Sequence, residues 1–446
     1  MLPKQKLHIL IVTAWYYPFI HPRPHRWTSI AEFWAKEGHS VHVVTARRKG
    51  EPAEGIRNGV HLHRTGFDAL KEWFYYFFGE DNARGRAGLP VQAPSPFYQF
   101  AMWFYRVIWK NSYFPDDACL WYFPARKKIA YLGNQHKFDA FITVSLPFTG
   151  QLLGKWLQRR VPELFWIADI GDPFSFAGFP LNNQWLYGRL NKKLEQSTLE
   201  TADVTVVTTE NTRHQYQHYF GAAAVQKMHV IPPLLHPVPD FGSALPENLS
   251  LTTSHHRKKI KIGYFGALYA PVRTPDVFLK LLEATLSAQP SLKDFIEIHF
   301  YGEIFPEFYD PLIKFPLINL HGLRPRQAVQ AAMQQMDILL NIGNQTNFQL
   351  PSKVVEYLAA AKPVINISYT KSDPFADFLG EGPEVLHLKV ENGAIAPEDF
   401  KKWMHWLENC PPAMNAKDIA ARLMPYRLET IASAYSSFII DHLSHQ

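Results

Sequence analysis

Lys353 and Glu356 are the residues whose spacing most clearly indicates chemistry. They lie three positions apart in a predicted helix over Pro351–Ala361, so they share one face close to its first turn. Pro351 is typical of a first helical position, and a helix N-terminus with a lysine beside it attracts phosphate. A carboxylate such as that of Glu356 can accept hydrogen bonds from two vicinal hydroxyls, which ribose offers. The pair therefore predicts a nucleoside-diphosphate site, and the alternative is an exposed ion pair between the two side chains.

The region around this helix alternates strands with helices. The predicted strands are Ile260–Phe265, Ile296–Tyr301, Asp337–Leu340 and Pro363–Ile367. The other predicted helices are Pro275–Ser287, Pro325–Gln335, Pro397–Glu408 and Ala416–His442, the last two with no strand between them. Such alternation predicts a doubly wound parallel sheet that binds ligands at the carboxyl ends of its strands.

A similar alternation fills the N-terminal half of the chain. Leu7–Thr13 is a predicted buried strand, Trp27 to Trp34 carry the apolar stripe of a helix, and Ser40–Thr45 is the next strand. The later predicted elements are strands Phe138–Val144, Leu164–Asp169 and Asp203–Thr208 with helices Phe148–Arg159 and Gln184–Thr201.

Together the two series predict an α/β fold of two Rossmann-like, doubly wound domains facing across a cleft. We expect an N-terminal domain over residues 1–233, a C-terminal domain over 260–414, and a C-terminal helix over 415–446 that is a candidate to cross back to the first domain. Leu234–Lys259 is rich in Pro, Ser, Thr and His, which is typical of a linker.

Residues 68–132 interrupt the N-terminal alternation with many aromatic side chains, among them an unbroken run from Trp73 to Phe78. Arginines and lysines are interleaved with them. Two interpretations are open: an ordinary core of packed helices, or a surface that lies at a membrane interface.

Composition excludes several classes of protein. The 446 residues are 47% hydrophobic and 19% charged, which indicates a globular chain and not a disordered one. The net charge of +6 suits a polyanionic partner, either nucleic acid, an anionic membrane surface or a phosphorylated substrate. The basic residues are scattered and no RNA-reading or zinc-finger motif is present, so nucleic acid is the weakest of the three.

The two cysteines, Cys119 and Cys410, form no disulfide framework, which fits a reducing cytoplasm. The apolar run Ile9–Val12 is too short for a signal peptide, and no run of about 18 apolar residues predicts a membrane span. Neither an H-E-x-x-H nor a D-x-D motif occurs, so no metal site is predicted. His61 and His63 alternate on a strand and are expected to face water.

The stretch Leu350–Ile365 resembles the donor-binding signature of family 4 glycosyltransferases of the GT-B fold, P-x-K-x-x-E-Y-x-A-x-x-K-P-V-I. Weaker resemblances to the same family occur elsewhere, at Tyr17-Pro18, Gly38–Thr45, His321–Leu323 and Asp337–Leu340. Asp169–Phe174 is similar to the D-x-R-D-P-W box of one bacterial subgroup, as is Phe114-Pro115-Asp116 with Trp121.

The resemblance implies a sugar transferred from a nucleotide-diphosphate sugar to a glycan or lipid-linked acceptor, with retention of configuration and without a metal ion or cofactor. The implied setting is cell-surface polysaccharide or glycoconjugate synthesis in the cytoplasm, peripheral to the anionic inner face of the membrane. The implied donor-binding residues are Pro351, Ser352, Lys353 and Glu356.

The chain departs from the family at two donor-site positions. Phe348 stands where the family often carries a second glutamate, and Gly266-Ala267-Leu268 lacks the arginine of its G-R-L diphosphate motif. Arg273 is our candidate for the diphosphate, with a solvated loop arginine as the alternative, and Gly266 would either let the backbone approach phosphate or make a turn.

These departures leave a second hypothesis open, a catalytically inactive nucleotide-sugar-binding scaffold of the same fold. A Rossmann dehydrogenase is a third reading, but it predicts G-x-G-x-x-G after the first strand, where Thr13-Ala14-Trp15 stands.

On the acceptor side, Asp172 follows the strand Leu164–Asp169 and is the predicted catalytic residue. A turn or cap role before Pro173 is the alternative. Asp169 is predicted to orient or cap the strand end. His25 and Arg26 lie in the predicted first strand–helix loop, where they either contact the acceptor or remain solvated charges.

Overall fold

The computed structural model describes residues 6–19, 22–48, 50–70, 100, 103–177, 181–235, 259–270, 272–345, 350, 353–409 and 412–445. The chain forms two compact units. The N-terminal unit contains Met1–Pro232 with Leu428–Gln446, and the C-terminal unit contains Pro233–Arg427. Most of the predicted linker, residues 236–258, lies outside the described residues.

An eight-stranded sheet forms the centre of the N-terminal unit, in the order β3-β4-β2-β1-β5-β6-β7-β8. Neighbouring strands are parallel except for the antiparallel β3–β4 pair at one edge. The strands are β1 His8–Val12, β2 Ser40–Thr45, β3 Glu54–Arg57, β4 Val60–Arg64, β5 Ala140–Val144, β6 Phe165–Gly171, β7 Val204–Val207 and β8 Met228–Val230. Nearly every side chain of β1 and β5 is buried, as expected for parallel strands covered on both faces.

A seven-stranded sheet forms the centre of the C-terminal unit, in the order β11-β10-β9-β12-β13-β14-β15. Only its β14–β15 pair is antiparallel among the pairs described. The strands are β9 Ile260–Phe265, β10 Ile296–Tyr301, β11 Ile318–Gly322, β12 Ile338–Ile342, β13 Val364–Ser368, β14 Val385–Glu391 and β15 Ala394–Ile395. The predicted pair of Rossmann-like α/β sheets is confirmed.

Helices connect the strands in both units. They are α1 Pro22–Lys36, α2 Tyr122–Gln135, α3 Thr149–Arg160, α4 Gln184–Thr201, α5 Glu210–Phe220, α6 Asp276–Ala288, α7 Tyr309–Ile313, α8 Arg326–Gln335, α9 Lys353–Ala359, α10 Pro374–Leu379, α11 Pro397–Asn409, α12 Ala416–Leu423 and α13 Leu428–Ser444. Among these helices, none combines the length and apolar composition needed to cross a bilayer.

The structure divides the predicted helix Ala416–His442 into α12 and α13. A 3₁₀ turn over Met424–Tyr426 separates them, and Pro425 within it lacks the N–H that a continuing helix would need. Helix α13 belongs to the N-terminal unit, where Trp34 of α1 donates to the carbonyl of Ala432 at 3.2 Å.

The described part of the aromatic insertion contains both buried and exposed side chains. Residues 71–99, 101 and 102 lie outside the described residues. Trp121 and Ile129 are buried in the core, whereas Trp103 and Val107, on either side of the start of a π-helical segment over Tyr105–Trp109, are about half exposed. The insertion therefore contributes packing from one part and an exposed apolar surface from another.

Candidate donor site and acceptor-side residues

The strand order of the C-terminal sheet reverses between β9 and β12, which is the point where doubly wound sheets bind ligands. Gly266 follows β9 directly, and Asn344 follows β12. A Cβ at Gly266 would lie 2.6 Å from the Tyr264 hydroxyl and 3.2 Å from an Arg273 guanidinium nitrogen, so only glycine fits against these groups. Gly266 therefore allows a cation to approach the strand end.

Arg273 is held across this switch point. Its Nε and Nη2 donate to Oδ1 of Asn344 at 3.1 and 2.6 Å, and the backbone N–H of Gln345 donates to the carbonyl of Val272 at 3.0 Å. The predicted alternative of a solvated loop arginine does not describe this side chain, because it is half-buried and fixed by an amide. Its remaining nitrogen, Nη1, carries the same delocalised charge.

Lys353 begins α9 and is half-buried. The pKa of its ammonium is lowered to about 8: burial is the main cause, the charge of Glu356 opposes the shift, and the charges of Arg273 and Arg326 add to it. A poorly solvated ammonium beside two guanidinium groups is stabilised by an anionic ligand. Lys353 and Arg273 are therefore two cations close enough for their charges to interact.

Glu356 accepts a hydrogen bond from Nη2 of Arg326 at 2.5 Å. The alternative of a Lys353–Glu356 ion pair is not observed, since the ion pairs of the described residues join Glu356 to Arg326. Nε of Arg326 is buried without a hydrogen-bond partner among the described residues. Arg326 was not identified from the sequence, because it lies 30 residues before Glu356 at the start of a different helix.

Pro351 and Ser352, predicted to bind the donor, lie outside the described residues, as does Phe348. The structure thus brings together four of the six predicted donor-side residues: Gly266 and Arg273 by direct proximity, and Lys353 and Glu356 on α9.

On the acceptor side, Asp169 is fully buried at the end of β6. Nη1 of Arg23 donates to both of its carboxylate oxygens at 3.0 and 3.1 Å, and Nε1 of Trp27 donates to Oδ2 at 2.6 Å. Gly171 has φ +67°, and a Cβ there would lie 1.0 Å from Nη2 of Arg23, so glycine makes room for the guanidinium. Asp169 therefore links the end of β6 to Arg23 and Trp27 of α1.

Arg26 lies inside the N-terminal unit and is 4% exposed. Its guanidinium donates to the carbonyls of Pro232 and Ile231 and to the hydroxyl of Tyr435 on α13. These contacts favour a structural role over the predicted acceptor contact, because the side chain is almost fully buried among the described residues of this unit. His25 is half-buried on α1, and its Nδ1 lies 3.3 Å from Oγ of Ser29.

Asp172 lies in the loop after β6, half-buried, within electrostatic range of Arg23 and Tyr216. Glu195 of α4 fixes this loop: its carboxylate accepts from the backbone N–H groups of Phe174 and Ser175, each at 2.8 Å, and from the Tyr216 hydroxyl at 2.5 Å. Burial raises the pKa of Glu195, and these hydrogen bonds act against the rise. Glu195 could not be identified from the sequence, since its contacts are more than 18 residues away.

His61 and His63, expected to face water, are both half-buried and stack with another histidine. His42 of β2 stacks between their rings, at centroid distances of 4.6 and 5.3 Å, and Nδ1 of His42 lies 3.1 Å from Nε2 of His63. Along β4 the two histidines alternate with the buried residues Val60, Leu62 and Arg64. Within the described residues, no group of three His, Cys, Asp or Glu side chains could hold a metal ion.

Residues 26–236 of the chain match the model of the family described as Glycosyltransferase Family 4. No curated protein sequence matches the chain. Among solved structures, sucrose-phosphate synthase from Thermosynechococcus elongatus has a TM-score of 0.62 at 11% identity, over 99% of this chain and all of that one. Trehalose 6-phosphate synthase from Burkholderia multivorans has a TM-score of 0.60 at 12% identity, over 99% of both chains.

HepE from Anabaena, solved with UDP and glucose, has a TM-score of 0.58 at 12% identity over 98% of this chain and 100% of that chain. At such identities these likenesses show the fold.

Proposed function

We propose that the chain is a glycosyltransferase that uses a nucleotide-sugar donor and transfers the sugar, with retention of configuration, to a glycan or lipid-linked acceptor in cell-surface polysaccharide or glycoconjugate synthesis. The match of residues 26–236 to the family 4 model and the GT-B likeness of the fold support this proposal. The observation that carries the donor site is the convergence of Arg273, Lys353 and Glu356 at the switch point between β9 and β12.

Each of these side chains has a role set by its chemistry. Arg273 and Lys353 bind the diphosphate, and they stabilise the negative charge that develops on it as the bond to the sugar breaks. Glu356 accepts hydrogen bonds from the ribose hydroxyls. Arg326 orients Glu356 through their ion pair.

These two fixed cations perform the task that a divalent ion performs in other diphosphate sites. We therefore expect transfer without a metal ion. Activity that EDTA abolishes and Mg²⁺ or Mn²⁺ restores would contradict this expectation.

Asp172 is the proposed catalytic residue on the acceptor side. It follows β6 at the carboxyl edge of the N-terminal sheet, and Glu195 fixes the loop that carries it. Asp172→Asn should lower kcat while nucleotide affinity stays as in the wild type. An unchanged kcat would assign Asp172 to the turn alone.

The experiment that tests the donor site is a thermal-shift screen of the purified full chain against UDP, GDP, ADP, CDP and dTDP. A nucleotide that binds only the folded state raises Tm by mass action. At a concentration a hundredfold above Kd, it adds roughly 2.7 kcal/mol to the free energy of unfolding. The selected nucleotide then defines a set of donor sugars, and NMR of the product gives the anomeric configuration. If no nucleotide raises Tm, the proposed donor site is contradicted.

We also place the protein in the cytoplasm, at the inner face of the membrane, through the exposed apolar residues of the N-terminal unit. Those within the insertion are Phe100, Trp103, Val107 and Ile108, and those on α4 are Trp185, Leu186 and Leu190. The two groups adjoin, since the Tyr187 hydroxyl donates to the carbonyl of Ser112 at 2.7 Å. Lys110, Arg189 and Lys193 are exposed among them and suit anionic headgroups.

Liposome flotation tests this surface. The wild type should float with anionic vesicles at low salt and less at high salt. Trp185→Ser, at a side chain that is 93% exposed, should weaken flotation without unfolding the chain. A protein that stays soluble with anionic vesicles at low salt would contradict the membrane assignment.

A further inference from the structure

A second ligand-sized space lies in the N-terminal unit, at the switch point of its own sheet. The strand order reverses between β1 and β5. A cavity of about 190 Å³ opens here, lined by residues that follow four neighbouring strands: Trp15 and Phe19 after β1, Arg48 after β2, Asp68 after β4 and Leu146 after β5. Its volume is below the roughly 300 to 1,000 Å³ of sites for drug-sized ligands, so it suits a single small ring.

The cavity wall is largely aromatic and apolar. The rings of Trp15 and Phe19 lie 5.2 Å apart, and Tyr113 and Pro147 complete the wall. Such a wall packs against the C–H face of a ligand ring and leaves the ring's edge for hydrogen bonds. A sugar ring has both features, an apolar face and a polar edge.

Asp68 has a carboxylate oxygen that lacks a hydrogen-bond partner among the described residues. Its side chain is 93% buried, and its Oδ2 accepts from Nη2 of Arg48 at 3.1 Å. Its Oδ1 is buried and has no hydrogen-bond partner among the described residues. A buried carboxylate oxygen left unpaired is destabilising, so a ligand that donates a hydrogen bond here gains by it.

The charges around the cavity favour a neutral ligand over an anion. Among the described residues, three carboxylates, those of Asp68, Asp116 and Asp117, line it together with one cation, Arg48. Arg48 is already occupied, paired with Asp68 and lying 4.3 Å over the ring of Phe19. A phosphate or carboxylate inside the cavity would therefore meet more negative than positive charge.

Asp116 of the Phe114-Pro115-Asp116 motif lines this space. Asp116 is 3% exposed, and its carboxylate accepts from Thr149 N and Oγ1 at 2.9 and 2.7 Å and from Ala118 N at 3.0 Å. The oxygens of Asp116 are thus used to join the insertion to α3, whereas Oδ1 of Asp68 has no hydrogen-bond partner among the described residues.

We propose that this cavity binds one uncharged sugar ring of the acceptor, that Oδ1 of Asp68 accepts a hydrogen bond from a ring hydroxyl, and that the cavity selects neutral acceptors against phosphorylated or carboxylated ones. This inference rests on the proposed glycosyl transfer and names the acceptor class for it.

The test compares two acceptors with the full-length enzyme and the donor selected by the nucleotide screen. One is an octyl glycoside of a neutral hexose, and the other is the octyl glycoside of the matching uronic acid. The wild type should use the neutral acceptor with a kcat/KM at least tenfold higher. A preference for the uronic acid would overturn the proposal.

Asp68→Asn tests the role of the carboxylate. It should raise KM for the neutral acceptor about tenfold or more, because a charge-assisted hydrogen bond is lost. It should also narrow the ratio between the two acceptors, because Arg48 loses its partner and becomes available to an anion. A uniform loss with both acceptors, at an unchanged ratio, would mean that Asp68 only holds Arg48, and this would overturn the proposal.

Two further variants keep the test independent of folding. Ala69→Leu fills the cavity without changing its charge, and it should raise KM for the neutral acceptor. Glu163→Gln removes one exposed carboxylate just before the amino end of β6, whereas the cavity lies at the carboxyl ends of the strands, and it should change neither acceptor's KM. Equal effects of Glu163→Gln and Asp68→Asn would point to net charge alone and overturn the proposal.

Failure of this inference is distinguishable from failure of the proposed function. Nucleoside-diphosphate binding and acceptor-independent donor hydrolysis depend on the C-terminal unit, and both should be unchanged in Asp68→Asn. If they are present in the wild type but the acceptor preferences above are not, only the cavity assignment is wrong.

Discussion

The carboxyl ends of the central strands carry opposite charges in the two units. In the C-terminal unit the switch point between β9 and β12 is surrounded by Arg273, Lys353 and Arg326, with Glu356 as the carboxylate among them. In the N-terminal unit the described residues that line the cavity between β1 and β5 include three carboxylates and one arginine. The same topology thus carries opposite charge in the two units, because the side chains that follow each strand set the charge.

The largest expected effect comes from removing a cation from the C-terminal site. Lys353→Met should lower kcat/KM by on the order of 10²- to 10³-fold, since a group that stabilises the leaving diphosphate is lost in a desolvated site. Steady-state kinetics with a saturating acceptor would measure it. A loss below threefold would mean that the cationic character of this switch point is not used in catalysis.

The same lysine predicts a pH dependence. Its folded-state pKa of about 8 lies below the ordinary value, so the protonated form that binds diphosphate is lost as pH rises through about 8. The log of kcat/KM should fall above that pH with a slope approaching −1. Lys353→Arg keeps its charge to much higher pH and should remove this limb. A wild-type profile that is flat from pH 7 to 9.5 would contradict the assignment.

A smaller effect is expected from replacing Glu356, the carboxylate of the C-terminal site. Glu356→Gln should weaken nucleoside-diphosphate binding by about tenfold, because charge-assisted hydrogen bonds to ribose are lost. A deoxyribose nucleotide should bind the wild type worse but the variant almost equally. Isothermal titration with the full chain measures both.

Arg326→Gln provides the matched comparison for this prediction. If Arg326 acts only by orienting Glu356, the double variant should be no weaker than Glu356→Gln alone. Normal nucleotide binding by Glu356→Gln, or its unfolding, would make this glutamate a structural ion-pair residue and would move the nucleotide site elsewhere.

The smallest expected effect is on stability and belongs to the N-terminal unit. Burial, with neighbouring histidines, lowers the pKa of His42 to about 3. The unfolded chain therefore binds a proton at His42 below about pH 6.5 while the folded chain does not, so stability falls as pH drops from 6.5 toward 3. Tm should decrease by a few degrees between pH 7 and 5.

His42→Gln should flatten this dependence, and His218→Gln, at an exposed position of the same unit, should leave it unchanged. Differential scanning calorimetry across that pH range gives the comparison. An equal slope in the wild type and His42→Gln would show that the histidine stack does not govern acid stability.

The partial burial of His61 and His63 in the histidine stack could not be predicted from the sequence. A period of two on β4 places His61 and His63 on one face, and the expectation of water on that face was the ordinary choice for polar residues. Pairing with β2 placed His42 between them, 19 to 21 positions earlier in the chain. Alternation specifies a face, but only the packing of helices against the sheet decides whether that face is buried.

Arg326 and Asp68 were missed for a related reason. Arg326 reaches Glu356 from another helix, and Asp68 becomes significant only because four strand ends meet beside it. Strand β14, over Val385–Glu391, was also missed, since its sequence alternates polar and apolar residues beside predicted helices.

The sequence by itself determined the alternation of strands and helices, the two Rossmann-like sheets, and the family resemblance carried by Leu350–Ile365. These follow from local periodicity and from short-range spacing, which the chain encodes within a few turns or strands. Tertiary structure alone decided which cations surround Glu356 and that Arg26 is buried. It also decided that Asp68 lines a cavity and that one of its carboxylate oxygens has no hydrogen-bond partner among the described residues. Those facts depend on contacts between residues far apart in the chain, and strand order and helix packing, not local pattern, bring such residues together.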